Sequence, residues 1–530
     1  CSRWSATTTR PRLAPGGGTQ TPWSSAAEPS GALEGGPEMR RRPASRTLEA
    51  DACVIGAGAG GAVLAAELAE GGMRVVLLEQ GPQHDPDSFS ARPPAMLAAL
   101  YRDGGQTLTL GTPPIALPLG HGLGGTTVVN SGTCFRTPEH VLEHWRRSYG
   151  LDLDAETMRP YFERVERALS VSEVTPELAG GNAAVARRGA ERLGWSHGYL
   201  RRNAKGCVGS GVCVFGCPTS AKQHTGITYV PRARAAGAEV LTGAEVRQIL
   251  VRRRHAAGVE ASLGAGGALH VHAPVVAVAA GTIHTPGLLA RSGLAARSGQ
   301  LGGNLSLHPA TAAVALMDHV VDMARGVPQS FYVDEFVSEG IIFEGVAGPP
   351  AYAAMSLPLT GRRHADVMSG YRRLAQFGLM VSDSSRGRVL SMAGRPVITY
   401  SVGDADVAKF RAGLARLRQL FEAAGAREVF LPLRPGVTPE RATARDLKLM
   451  AFHPLGTARA DARPAAGVLD GNLEVHGTRG VFVADGSAIP SALGVNPQLT
   501  IMALATRLAD TLLDHEARAP VRPAARSSRR

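Results

Sequence analysis

Short uninterrupted apolar runs on either side of a helical pattern mark the first folded unit of the chain. Residues 51–55 and 75–78 are almost wholly apolar, which is typical of parallel strands buried on both faces. Residues 62–69 lie between them and combine Ala, Leu and Val with a single Glu, which predicts a helix. A glycine-rich segment, residues 56–61, joins the first strand to this helix. The pattern therefore predicts a β-α-β unit with a tight turn at its first junction.

Similar apolar runs recur much later in the chain. They predict strands at 238–241, 246–251, 275–280 and 481–484, followed by an apolar helix at 499–508. The length of 530 residues exceeds one compact core and fits two domains that are interleaved in sequence. The sequence has no run of about 18 apolar residues, so we expect no membrane span.

The net charge of +12 is concentrated at the two ends of the chain. Residues 1–48 contribute +4 and residues 517–530 contribute +5, which leaves +3 for the body. Charge confined to tails does not form a binding face, so we expect no nucleic-acid partner. The low-complexity composition of residues 1–48 predicts a disordered or spurious N-terminal extension, and residues 516–530 are expected to form a basic tail.

The glycine-rich turn has the spacing of a dinucleotide-binding loop. Gly56 permits the tight turn, Gly58 lets the backbone approach a pyrophosphate, and Gly61 lets the helix pack on the strand. The helix N-terminus that follows offers free N–H groups and partial positive charge to phosphates. Glu79, which closes the second strand, is placed to accept hydrogen bonds from ribose hydroxyls. This unit predicts a dinucleotide cofactor but does not distinguish NAD from FAD.

Further motifs carry a resemblance to a known family. They are a second glycine loop at 121–132, turns at 281–293 and 302–309, the His-Pro-Leu-Gly-Thr segment at 453–457, and a strand and turn at 481–497. In this order they resemble the glucose–methanol–choline (GMC) oxidoreductases, a family of FAD-dependent alcohol oxidases and dehydrogenases. The resemblance spans residues 51 to about 512 and is weakest from about 315 to 445.

The resemblance implies an α/β fold with two interleaved domains. A Rossmann-like FAD-binding domain is expected to alternate along the chain with an α+β substrate domain built on an antiparallel sheet. The first would take residues 49–135, 225–310 and 447–515, and the second 136–224 and 311–446. The walls of the substrate pocket lie in the segment with the weakest resemblance, so the sequence does not name the alcohol.

The cofactor contacts follow from the resemblance and from strand ends. Asp485 and Gly486 come just after a predicted strand, and open α/β sheets bind ligands at such carboxyl ends. Some family members tether FAD through a histidine at the position of Val129, whose side chain has no nucleophile, so we expect non-covalent FAD. The predicted cofactor-binding residues are Gly56, Gly58, Gly61, Glu79, Gly124, Gly125, Asn130, Val246, Asp485, Gly486 and Pro497.

The catalytic pair implied by the resemblance is His453 and Asn496. Alcohol oxidation moves a hydride from the carbinol carbon to flavin N5 and removes the hydroxyl proton, and a histidine can serve as that base near neutral pH. An amide can fix the hydroxyl and stabilise the developing alkoxide. His308 is interpreted as part of a structural turn, and His121 and His284 are assigned no role. The alternative function is that of an FAD-containing hydroxynitrile lyase of the same fold.

Three cysteines fall within eleven residues. Cys207, Cys213 and Cys217, with Pro218 after them, end in the C-x3-C-P form of a ferredoxin segment, and three thiolates suit a 3Fe–4S cluster. A similar spacing occurs in GMC subunits of membrane-linked sugar dehydrogenases, which pass electrons to a cytochrome. Similar segments with a Lys-Gln dipeptide also occur in long-chain alcohol oxidase relatives. The alternatives are reduced structural thiols, a local disulfide, or a zinc site completed by His224.

The resemblance also sets the expected partners. The substrate is predicted to be a small-molecule alcohol, and the electron acceptor is left open between oxygen, a quinone and a cytochrome-type subunit. The absence of a secretory pattern near Met39 predicts a cytoplasmic location, with a periplasmic one, reached through a partner subunit, as the alternative.

Overall fold

The fold contains eleven α-helices and nineteen strands within the described residues of the computed structural model, which are 45–264, 266–295 and 298–518. The helices are α1 (Ala59–Glu70), α2 (Pro93–Leu100), α3 (Glu139–Tyr149), α4 (Ala155–Ala168), α5 (Pro176–Leu193), α6 (Tyr229–Ala235), α7 (Thr285–Arg291), α8 (Pro350–Ser356), α9 (Gly361–Ser369), α10 (Asp404–Ala423) and α11 (Gln498–Arg518). Within the described ranges, no helix combines the length and the apolar character that crossing a bilayer requires.

The strands are mostly short. They are β1 (Ser45–Glu49), β2 (Ala52–Ile55), β3 (Val75–Leu78), β4 (Val171–Glu173), β5 (His197–Tyr199), β6 (Arg201–Asn203), β7 (Glu239–Leu241), β8 (Ala244–Arg252), β9 (His255–Leu263), β10 (Gly267–His272), β11 (Val275–Val278), β12 (Ala310–Met317), β13 (Phe331–Val333), β14 (Ile341–Gly345), β15 (Leu374–Val381), β16 (Arg388–Met392), β17 (Arg395–Thr399), β18 (Ala426–Phe430) and β19 (Val481–Val483).

A five-stranded parallel sheet forms the first layer, in the order β19-β11-β2-β3-β7. Every residue of β2, β3 and β19 is buried, as the uninterrupted apolar runs predicted. Strands from both ends of the folded chain belong to this sheet, because β19 pairs with β11 and β11 pairs with β2. This confirms the predicted Rossmann-like α/β fold.

A six-stranded antiparallel sheet forms the second unit, in the order β18-β12-β15-β14-β13-β5. Each neighbouring pair runs antiparallel, and all eight residues of β15 are buried. Helix α10 covers β15 and packs on α5. The antiparallel sheet expected in the substrate domain is therefore present.

The two hydrophobic cores follow the predicted division in part. Helices α3 and α4 were assigned to the substrate segment 136–224, but their apolar residues belong to the core of the parallel sheet. The reason is packing: α4 lies against α11, and the Trp145 indole N–H donates to Ser491 Oγ at 2.8 Å. Conversely, Ile115 and Leu117 from the predicted FAD-binding segment pack in the substrate core.

The structure also corrects the limits of the two tails. Residues 45–49 form β1, which pairs in parallel with β10, so the predicted extension of 1–48 is wrong for its last four residues. Helix α11 continues to Arg518, three residues into the predicted basic tail. Residues 1–44 and 519–530 lie outside the described ranges.

Candidate active site

The first glycine loop packs its backbone against the neighbouring strand. A Cβ at Gly56 would lie 2.3 Å from the carbonyl oxygen of Ala279, and one at Gly61 would lie 1.9 Å from the carbonyl oxygen of Gly56. Gly56 also has φ of +99°, which disfavours any side chain. These two glycines therefore serve the fold. Gly58 differs, because a Cβ there would meet nothing within 4 Å.

The second glycine loop lies directly on the first. A Cβ at Gly125 would approach Gly58 Cα to 2.9 Å, and Gly124 and Gly125 both have positive φ. The Thr225 hydroxyl lies within 3.3 Å of the carbonyl oxygens of both Ala57 and Gly124 and joins the loops. Two loops with little side-chain bulk thus meet at the N-terminus of α1, where free N–H groups favour an anion.

Glu79 closes this end of the site. Its carboxylate accepts hydrogen bonds from the backbone N–H groups of Ala57 at 2.9 Å and Gly81 at 2.8 Å. Burial raises the pKa of Glu79, and the two N–H groups oppose that rise. Each oxygen keeps a free lone pair in this arrangement, which is the acceptor chemistry that ribose hydroxyls need. The open space at Gly58, the helix terminus and Glu79 together fit a dinucleotide.

Asp485 joins the segments that follow β11 and β19 at the carboxyl edge of the parallel sheet. Its Oδ2 accepts from the Gly281 N–H at 2.9 Å and from the Thr285 hydroxyl, and its Oδ1 accepts from the Ser487 N–H at 2.8 Å. Burial raises the Asp485 pKa against these donors. The carboxylate therefore holds the ends of β11 and β19 together and is engaged within the protein.

The turn at Gly486 connects this edge to His453. The Gly456 N–H donates to the Gly486 carbonyl at 3.1 Å, and the Thr282 hydroxyl donates to the Pro454 carbonyl at 2.6 Å. A Cβ at Gly486 would sit 3.0 Å from that same Pro454 oxygen. The His-Pro turn is thus fixed by backbone contacts on two sides.

His453 and Asn496 are brought together as predicted from the sequence. Asn496 Nδ2 lies 3.4 Å from His453 Nε2. Burial, and the ring of His308 beside it, lower the pKa of His453 to about 3, so the imidazole is neutral at neutral pH. Two atoms of the pair, His453 Nδ1 and Asn496 Oδ1, are buried without a partner. Unpaired buried polar atoms of this kind mark a place where a ligand or water completes the site.

The sequence analysis missed a third member, Glu344. It lies on β14 in the antiparallel sheet, and its Oε2 accepts from the Gln329 amide at 2.7 Å and from Asn496 Nδ2 at 3.5 Å. Burial raises the pKa of Glu344 to about 7. Its Oε1 has no partner among the described residues. The available signal was a single carboxylate inside the apolar run Ile341–Gly345.

His308 was expected to be structural, and its contacts agree with that. Its Nε2 accepts from the N–H groups of Leu493 at 2.8 Å and Gly494 at 3.2 Å, just before Asn496. The Asp383 carboxylate accepts from the backbone N–H of His308 at 3.1 Å. The two histidine rings meet edge to face, with centroids 5.6 Å apart. His308 therefore positions the loop that carries Asn496.

The remaining predicted cofactor residues differ in their setting. Asn130 donates to Gln498, next to Pro497 at the start of α11, so these two predicted residues lie close together. Val246 lies on β8 in a four-stranded sheet, where its carbonyl accepts from Arg291 at 3.2 Å. Among the predicted cofactor-binding residues, Val246 is the one on a strand outside the parallel sheet.

Lys222 was not predicted to be part of the site and holds the loop before Asn130. Its ammonium group is buried and donates to the carbonyl oxygens of Val128 at 2.7 Å, Asn130 at 2.6 Å and Cys213 at 2.7 Å. Burial lowers its pKa to about 8. The Lys-Gln dipeptide after the cysteines thus has a structural explanation.

The prediction of an iron–sulfur cluster is not supported. Among the described residues, no three His, Cys, Asp or Glu side chains are grouped so that they could hold a metal ion, so the zinc alternative is not supported either. Cys213 accepts from Arg202 at 3.2 Å, Cys217 lies 3.5 Å from the Lys222 N–H, and Cys207 packs against the substrate core. The structure has these three cysteines as free thiols, so the local disulfide is not supported either.

The fold and the site define a dinucleotide-dependent protein whose second, antiparallel domain contributes to the site. A model for NAD(P)-binding Rossmann-like domains matches residues 54–108, and the GMC oxidoreductase models match residues 97–310 and 383–505. The chain belongs to the GMC oxidoreductase family. Membership supports oxidoreductase activity and FAD as the dinucleotide.

Similar proteins agree with this assignment. An uncharacterised GMC-type oxidoreductase of Mycobacterium tuberculosis is 42% identical over 87% of this chain and 75% of its own length. A long-chain-alcohol oxidase of Arabidopsis thaliana is 28% identical over 88% of this chain and 68% of its own length. Among solved structures, a pyridoxine 4-oxidase has a TM-score of 0.71 at 20% identity, with 88% of this chain and 99% of that one covered.

Two glycines of the first loop, Gly58 and Gly60, should separate folding from cofactor binding. We expect Gly58→Ala to fold normally but to lose at least about tenfold in FAD affinity, because its Cβ fills the space that the pyrophosphate needs. Gly60→Ala should instead lower the free energy of unfolding by about 1–3 kcal/mol or more, since its Cβ would lie 1.7 Å from the Ala484 oxygen. Thermal unfolding of FAD-free protein and flavin absorbance after reconstitution measure the two effects. Full FAD occupancy in the Gly58 variant would contradict this assignment.

Glu344→Gln should change how stability depends on pH. The folded state raises the pKa of Glu344 from 4.5 to about 7. Ionisation of this carboxyl therefore lowers the free energy of unfolding as the pH rises through this window. The near-isosteric Gln cannot ionise. The free energy of unfolding of the Glu344→Gln variant, relative to that of wild type, should therefore increase by up to about 3 kcal/mol between pH 4.5 and 7. Denaturant unfolding at several pH values measures this. The exposed Glu422→Gln is the control, and a parallel pH dependence in both variants would show that Glu344 does not titrate in this range.

Proposed function

We propose that the protein is an FAD-dependent oxidoreductase that oxidises the CH–OH group of an alcohol, with His453 as the base. The observation that carries the proposal is the pairing of His453 with Asn496 at 3.4 Å, on a turn fixed to the carboxyl edge of the dinucleotide-binding sheet. Bound FAD would supply the hydride acceptor at N5. The remaining chemistry belongs to side chains of this chain.

His453 would accept the hydroxyl proton at Nε2. An amide nitrogen can only donate, so its contact with Nε2 requires the unprotonated form of that nitrogen. The lowered pKa keeps the ring neutral before reaction but also makes it a weaker base, so the proposal rests on the position of Nε2 beside Asn496 and not on the pKa. A carbinol oxygen between the two residues would donate its proton to Nε2 and accept a hydrogen bond from Asn496 Nδ2.

Glu344 would act as a positioning residue. Its Oε2 accepts from the same Asn496 Nδ2 that faces His453, so it fixes which end of the amide points toward the histidine. This orientation leaves Asn496 Oδ1 without a partner inside the protein. A neutral Glu344 also keeps an uncompensated negative charge away from an alkoxide that develops beside Asn496.

The class of substrate follows from the family and its relatives. Several of the similar proteins are long-chain-alcohol oxidases of Arabidopsis thaliana, at 27–28% identity. They support an alcohol as the donor, and the electron acceptor is left open.

Substitution of His453 tests the proposed base. His453→Ala should keep its FAD and slow flavin reduction by an oxidisable alcohol by about 10²–10⁴-fold, the usual contribution of a general base. Asn496→Ala should cost less, with binding and orientation affected together. Anaerobic stopped-flow absorbance measures the reductive step, after a titration with sugars, choline, sterols and long-chain alcohols has identified a donor. His319→Ala on the surface is the control, and a rate for His453→Ala within threefold of wild type would place the base elsewhere.

The bond between protein and flavin gives a separate test. Val129 is buried and has no nucleophile, so we expect FAD to be held without a covalent bond. Acid or heat precipitation should release it into the supernatant, where its absorbance and mass identify it. Yellow colour that stays with the washed pellet would show a covalent link.

A further inference from the structure

Large exposed apolar side chains are concentrated on one surface. Ten such residues occur in the described part of the chain, and six of them come from three adjoining segments: Leu108, Leu110, Leu390, Met392, Met450 and Phe452. Single exposed apolar residues are ordinary, whereas a contiguous group is a sign of an interaction site. We call these six residues the apolar face.

Backbone pairing makes the apolar face continuous. Ala116 pairs with Leu108 on one side and with Met450 on the other, and Leu110 pairs with Thr399. Thr399 also pairs with Arg388 in the hairpin of β16 and β17. Side chains that are paired across strands point to the same face and lie about 5 Å apart. The three segments therefore form one surface.

Alternation within two of the segments shows which side chains point outward. Thr109 is buried between Leu108 and Leu110, and Ala451 is buried between Met450 and Phe452. This period of two is the pattern of a sheet with one face to the core and one to the outside. Leu390 and Met392 extend the outward face along the hairpin.

The three segments that form the apolar face carry charge of one sign. Segments 107–117, 386–401 and 448–453 contain no Asp or Glu, and they carry four exposed cations: Arg386, Arg388, Arg395 and Lys448. Arg386 and Arg388 line a groove together with Leu110. Apolar side chains beside cations are the combination that binds the interface of an anionic membrane.

The same charge argues against a second copy of the chain as the occupant. A symmetric dimer would place this patch against itself, so the arginines of one copy would face those of the other. Like charges opposed in this way are unfavourable, and no acidic residue in the three segments compensates them. An anionic surface has the complementary charge.

We propose that the apolar face docks the protein on the surface of a lipid bilayer that carries anionic headgroups. The six side chains enter the interfacial region and the four cations contact headgroup phosphates. Phe452 directly precedes His453, so docking would bring the lipid surface beside the candidate active site. If the proposed function holds, an apolar alcohol would reach His453 from the membrane. The docking itself does not depend on that function.

Vesicle flotation of the FAD-loaded protein tests the proposal. Wild type should float with phosphatidylcholine vesicles that contain phosphatidylglycerol, bind pure phosphatidylcholine less, and lose binding as salt rises. Leu108→Ser/Leu110→Ser and Leu390→Ser/Met392→Ser should each lower the bound fraction at least about tenfold. Arg388→Gln/Arg395→Gln should remove most of the preference for phosphatidylglycerol. Leu193→Ser/Val320→Ser, exposed apolar residues outside the face, form the matched control.

Folding and oligomeric state are checked in the same samples. All altered side chains are exposed, so FAD content and thermal unfolding should stay at wild-type values. Failure of wild type to bind either vesicle, or equal binding by the face variants, would overturn the proposal. A concentration-dependent dimer in light scattering that the leucine variants abolish would assign the face to a second copy instead. None of these readouts uses turnover, so failure of docking and failure of the proposed function are distinguishable.

Discussion

Close backbone contact at one edge of the parallel sheet is the constraint on which the site depends. Gly56 lies against Ala279, Gly60 against Ala484, and Gly125 against Gly58, at distances that leave no room for a side chain. The ends of β2, β11 and β19 can therefore converge only with glycine at these positions. Their convergence also brings the two ends of the folded chain to the same place, and the His453 turn is bonded to it through Gly486.

Buried polar groups then set the chemistry of the site. The carboxylates of Asp485 and Asp383 accept hydrogen bonds from backbone N–H groups and hydroxyls. These bonds fix the turns at 281–285 and 306–308. Glu344 and His453 are less completely paired, and burial moves both toward their neutral forms. A fully paired carboxylate serves the fold, whereas an incompletely paired group is available to a ligand.

The cysteine segment illustrates how spacing alone misleads. Its glycines and thiols suggested a metal cluster, yet the segment instead presents the Cys213 carbonyl to Lys222, which also holds the loop before Asn130. The buried ammonium group exchanges its hydration for three carbonyl acceptors, an arrangement that needs no metal. The apolar face could not be predicted from the sequence either, because its six residues lie in segments up to several hundred residues apart.

The sequence by itself determined the strands and helix of the dinucleotide unit and the interleaved α/β fold, and its resemblance to the GMC family predicted that His453 and Asn496 act together. These follow from local apolar runs and from motifs whose residues keep a fixed spacing. Only the tertiary structure decided that α3 and α4 pack with the parallel sheet, that Glu344 joins the pair, and that Lys222 anchors the loop before Asn130. Each of these depends on burial and on partners from distant segments. A residue's pKa and hydrogen bonds are properties of those surroundings, which a local pattern does not contain.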